Sequence, residues 1–108
     1  EETLRRAAGI ERAGASGLFV PGIAESAQIS AVVRGTKLPL NVMARPGAPP
    51  ATQLRKLGVS RVSAATALFN AAMAAAREAA EDFLRDGDSE VLWQRRGSPP
   101  DYNKLFAG

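Results

Sequence analysis

Three short apolar runs, each ended by a turn and followed by a helix-like stretch, constrain this sequence more than any other feature. Leu18-Phe19-Val20 stops at Pro21-Gly22, Leu38 to Ala44 stops at Arg45-Pro46-Gly47, and Val59 to Ser63 leads directly toward a long Ala-rich segment. Such runs have strand length, and the continuous Leu18-Phe19-Val20 run predicts a strand buried on both faces. Strands separated by helices cannot be joined as tight hairpins. The pattern therefore predicts consecutive βα units around a parallel sheet.

The segments between the runs carry helical periodicity. Leu4, Ala7, Ala8 and Ile10 make an apolar stripe from Glu1 to Ala13, stopped by the Gly14 to Gly17 segment. A second helix is expected from Glu25-Ser26 to about Val33 on the face of Ile29, Val32 and Val33, with Gly35 ending it. A third starts at Pro50 or Ala51, because Pro is tolerated in a first turn, and closes at Gly58. The longest runs from Ala65 to about Asp86. Leu68, Phe69, Ala72, Met73, Ala76, Ala80, Phe83 and Leu84 mark its expected buried face, and Gly87 is its stop. The tail from Asp88 holds Trp93, Pro99-Pro100 and a final helical turn, Tyr102 to Phe106. Residues 1–87 and 88–108 are the expected division.

Three parallel strands leave two apolar edges without partners, which a soluble protein rarely tolerates. Open doubly wound sheets normally have five or more strands, and a (β/α)8 barrel takes about 200 to 250 residues. The first helix also begins without an N-cap residue, as if the chain starts inside an element. The expectation is an incomplete architecture.

Composition limits the chemistry. With no Cys and no His, the chain has no disulfide, no thiolate or imidazole metal ligand, and no Cys or His in a catalytic dyad. Fourteen Lys and Arg face eleven Asp and Glu, so the surplus is +3. It is scattered, without the basic stripe and interleaved aromatics of a nucleic-acid surface, so no nucleic-acid partner is expected. No apolar stretch approaches the roughly 18 residues of a membrane span, and Glu1-Glu2 is not the basic start of a signal peptide. A soluble, cytoplasmic protein with no membrane partner is expected.

Taken in order, AGASGLFVPG (Ala13 to Gly22), PLNVMARPG (Pro39 to Gly47) and LGVSRVS (Leu57 to Ser63) with its long following helix resemble the C-terminal part of the isocitrate lyase / phosphoenolpyruvate mutase superfamily. The resemblance covers nearly all of this chain but well under half of a full family member. It implies that the three runs are the sixth to eighth strands of a TIM-type (β/α)8 barrel. It further implies a Mg²⁺-dependent lyase or mutase of small 2-oxo acids, or of their C–C or P–C bonded precursors, working through an enolate-like intermediate. The family's D-x-D metal motif and gating loop have no counterpart here. Asp86-Gly87-Asp88 has the letters but falls at the end of the last long helix. No catalytic residue and no metal ligand is therefore assigned, and this chain alone is expected to lack activity. The alternative is a stand-alone half-barrel that serves as an oligomerising structural or binding module.

Four residues are candidates for the substrate-binding rim. Asn41 puts an amide inside an apolar strand, where leaving it unpaired costs about 1–3 kcal/mol. It either holds a substrate carboxylate oxygen, as the resemblance implies, or bonds neighbouring backbone. Arg45, just past the second strand, is either a bidentate carboxylate or phosphoryl clamp or a loop arginine. Gly22 lets a backbone N–H approach a ligand. The lyase branch of the similar family carries a Glu near this point, and Pro21 beside Gly22 cannot act as acid or base, so the sequence departs from that branch here. Ser63 offers a hydroxyl or N–H to a ligand, or packs and caps the following helix. The Ala-rich helix from Ala65 to Asp86 is narrow enough for close approach. It either packs on its own sheet or, as similar family members do, exchanges between subunits of a homo-oligomer.

Overall fold

The computed structural model describes residues 1–98 and 100–107 of the 108. Of the Pro99-Pro100 pair, Pro99 lies outside the described residues. The chain divides into two compact units, one from Glu1 to Ala65 and one from Thr66 onward.

The first unit alternates α1 (Glu2–Arg12), β1 (Leu18–Val20), α2 (Ser26–Arg34), β2 (Leu40–Met43), α3 (Ala51–Lys56) and β3 (Arg61–Ser63). The strands form one parallel sheet in the order β1-β2-β3. Leu18 to Val20 pair with Leu40 to Val42, and Asn41 to Met43 pair with Arg61 to Ser63. These are the βα units the sequence predicts, and the sheet is open at both edges.

Strand ladders extend past the strand ends. Pro39 has no N–H to give, yet its carbonyl accepts from Leu18 at 3.0 Å, and Ala44 N–H donates to Ser63 at 2.8 Å. Both predicted outer strand segments, Leu38-Pro39 and Val59-Ser60, are instead entry loops. Alternation sends Leu18, Leu40 and Val42 to one face, where they join Ala7 of α1, Ile29 and Val32 of α2 and Leu54 of α3 in a single buried cluster. The expectation that Leu18-Phe19-Val20 is buried on both faces fails at Phe19, which is 52% exposed because no element of this unit covers its face.

α3 ends in a tight left-handed turn. Gly58 (φ +90°) donates to Arg55, and Val59 donates back to Leu54, both at 3.0 Å. This is the paired-bond helix stop that favours glycine, with Leu54 and Val59 both in or against the core.

The second unit contains α4 (Ala67–Asp86), α5 (Ser89–Arg95) and α6 (Tyr102–Phe106). The predicted start of α4 at Ala65 is corrected, because Ala65 takes a positive φ of 47° that no helix continues. A larger correction concerns its face. No residue of α4 is buried, and Leu68, Phe69, Met73 and Leu84 are 76%, 65%, 53% and 79% exposed. Periodicity marks an apolar stripe correctly but does not say what covers it. α5 is absent from the sequence prediction. Its N-cap is Asp88, whose Oδ1 accepts from Glu90 N–H at 2.9 Å. Arg95 on α5 reaches back to Asp82 and Glu78 of α4.

Candidate functional site

In a parallel sheet every strand ends on the same side, so Gly22 after β1, Arg45 after β2 and Ser63 at the end of β3 share one rim. Asn41 sits deeper on β2, two residues before Met43, which pairs with Ser63. The period of two therefore sets Asn41 and Ser63 on the same face of adjacent strands. Asn41 Nδ2 donates to Ser63 Oγ at 3.3 Å, and Ser63 Oγ in turn donates to the Val42 carbonyl at 3.4 Å. Ser63 is thus engaged with β2 and makes no helix cap. Thr66 is the N-cap of α4 and makes no side-chain cap bond. Asn41 is buried, and its Oδ1 has no partner among the described residues.

Arg45 spans from one loop to the other. Its guanidinium is exposed, and one of its nitrogens donates to the Gly22 carbonyl at 2.9 Å across 23 positions of chain. So Gly22 meets Arg45 through its carbonyl rather than presenting only an N–H. A Cβ built on Gly22 would meet nothing within 4 Å, so the space above it is open. The guanidinium has five N–H donors in a planar fork, and most remain for an anionic ligand. The structure brings the four candidates into two hydrogen-bonded pairs on one side of the sheet. Sequence reasoning did not find Phe19 and Arg61, which share the Asn41 face. Counting by two from Asn41 and pairing the strands would have exposed them.

The charge at this rim comes from Arg45, and none of the four candidates is a carboxylate. The shifted titrations lie elsewhere. Hydrogen bonds from Arg5 first and Arg6 second hold Glu2 down to about 2, and the same contact raises Arg5. Asp82 is lowered by its hydrogen bond from Arg85, helped by the charges of Arg95 and Arg85. These are exposed contacts on or between helices and do not mark a site. No three His, Cys, Asp or Glu side chains gather among the described residues. The donor set at the rim, an amide, a hydroxyl, a guanidinium and a glycine, does not fit a divalent cation. No helix among the described residues is long and apolar enough to cross a membrane.

Comparison with known proteins identifies the family of the fold. The family model for phosphoenolpyruvate phosphomutase matches residues 1–84. Among solved structures, a candidate lyase/mutase from Burkholderia cenocepacia J2315 is similar over 99% of this chain, at 34% identity and a TM-score of 0.78. The chain spans 39% of the length of that protein. A candidate phosphonomutase from the same organism is similar over 75% of this chain, which covers 32% of it, at 36% identity and a TM-score of 0.70. No curated protein matches.

Proposed function

The chain belongs to the phosphoenolpyruvate mutase/isocitrate lyase superfamily, and from that premise we propose that it forms one side of the substrate pocket of a lyase or mutase acting on small 2-oxo acids. C–C or P–C bonded precursors of such acids are included, with an enolate-like intermediate. In this reading residues 1–87 are the sixth to eighth βα units of a (β/α)8 barrel, and residues 88–108 are a tail.

The observation that carries the reading is Arg45. A cation bridges the loops after two adjacent parallel strands, on the side where (β/α)8 enzymes keep their active sites, beside a half-buried Ser63 hydrogen-bonded to the buried Asn41. Arg45 binds the substrate carboxylate or phosphoryl group with the N–H groups left over from Gly22. Asn41 gives the second hydrogen of its Nδ2 to a carboxylate oxygen, and Ser63 keeps that amide in place. Gly22 leaves room for the ligand to lie close to the backbone. The magnesium dependence that the kinship implies would rest on carboxylates outside these residues, since the rim has none to offer. The apolar stripe of α4 supports association into a homo-oligomer, and a cytoplasmic setting suits an enzyme of small acids.

Calorimetric titration of the full-length protein with pyruvate and with phosphoenolpyruvate, in the presence of MgCl2, tests the assignment. Loss of a charge-assisted contact in Arg45→Met should weaken binding about 10- to 150-fold, while Arg45→Lys retains part of it. Equal affinity in wild type and Arg45→Met would remove Arg45 from the pocket.

A further inference from the structure

The sheet face opposite the helices carries an unfinished polar arrangement away from the rim. Register sets Phe19, Asn41 and Arg61 side by side across β1, β2 and β3. Asn41 is 8% exposed, and its Oδ1 is a buried acceptor with no donor among the described residues. Arg61 is exposed, and among the described residues no carboxylate lies within ion-pair distance of it. A hollow of about 390 Å³ lies along this row, lined by Phe19, Asn41 and Arg61 with Ser16 and Ser60. Ser16 and Ser60 precede their strands, so the hollow opens at the end of the sheet away from Gly22 and Arg45.

An orphaned acceptor and an unpaired cation on neighbouring strands constrain whatever covers them. A guanidinium does not give up its proton, and burying it without an anion is prohibitive. Phe19, half exposed beside them, makes the same face apolar enough to need a cover. The first solved relative has room for one, because this chain spans only 39% of it.

We propose that this face is closed by a strand from the remainder of the barrel that carries an Asp or Glu opposite Arg61. Arg61 binds that carboxylate with two N–H groups and gives a third to Asn41 Oδ1. The inference rests on the barrel reading above. It makes Arg61 a positioning residue: by donating to Oδ1 it fixes which end of the Asn41 amide faces Ser63 and the rim. The planar fork of arginine supplies both contacts at once, and the point charge of lysine does not.

A crystal structure of the full-length protein tests this directly. The expected result is a carboxylate within ion-pair distance of the Arg61 guanidinium, with Asn41 Oδ1 within hydrogen-bond distance of the same group. If strands cover the face and no carboxylate meets Arg61, the inference falls while the barrel reading stands. If Arg61 faces solvent, both fall. In solution, Arg61→Met should raise the unfolding equilibrium constant by roughly a hundredfold or more, a loss of stability like that of a broken buried pair. Replacing the facing carboxylate by its amide in the same protein should recover most of that loss. Exchange of the Asn41 side-chain amide protons, followed by NMR, should speed up in Arg61→Met, because the amide is no longer held at both ends. Unchanged exchange and additive losses would overturn the positioning role.

Discussion

Ser63 shows how much of a site a single residue type announces and how much it conceals. A hydroxyl at the end of the third apolar run is visible in the sequence, as are Asn41 and Arg45. Their partners are not, because each bond joins segments about twenty positions apart whose alignment only the strand register decides. The sequence offers Ser63 a helix to cap, while the structure spends its hydroxyl on Asn41 and Val42. Ser63→Ala should therefore cost about 1–3 kcal/mol of unfolding free energy in the full-length protein, because it strands the buried Asn41 Nδ2. Urea denaturation measures this, and a loss below a few tenths of a kcal/mol would argue against the pairing. Gly58 makes a second prediction at this scale. It combines a φ of +90° with a position where an added Cβ would lie 2.8 Å from Val33 Cγ1. Gly58→Ala should destabilise by about 1–3 kcal/mol through backbone strain and overpacking together. Thermal unfolding of the variant checks it.

At the scale of elements, periodicity and turn residues locate α1 to α4 and all three strands, because glycines and prolines punctuate them. α5 escapes because it is short and its signal is one capping carboxylate, Asp88, inside a polar stretch. The same cause explains the α4 face: a 3.6-residue stripe records that something apolar is intended, and the occupant is a tertiary fact. Phe69, Met73 and Leu84 lie along such a stripe and are all exposed. Phe69→Glu with Met73→Glu should lower the association state of the full-length protein in analytical ultracentrifugation, and an unchanged state would leave the stripe without that role. α5 is tied to α4 by Arg95 with Asp82 and Glu78. Because folding lowers the Asp82 pKa, its contribution is present above the ordinary carboxylate range and fades as pH falls through the lowered native value. Amide protection, the slowing of exchange relative to the unfolded chain at the same pH, should fall in residues 89–95 along that acid limb, and Asp82→Asn should remove this pH dependence of protection while lowering protection at neutral pH.

For the molecule as a whole, the open sheet and the exposed α4 stripe leave more apolar surface than a small monomer usually presents. Prepared alone, these 108 residues should self-associate, giving a light-scattering mass well above 11.3 kDa. A clean monomer would show that the exposed edges are tolerated. The two compact units differ in one further respect. The only tryptophan and the only tyrosine, Trp93 and Tyr102, both belong to the second unit, while Phe19 is the sole aromatic ring of the first. Near-ultraviolet fluorescence is therefore blind to the sheet, whereas the far-ultraviolet amide signal sees both units. Melting curves from the two wavelengths, recorded on one sample, coincide only if the units unfold as one cooperative body. The uneven placement of two chromophores makes the molecule its own test of whether its halves share a single transition.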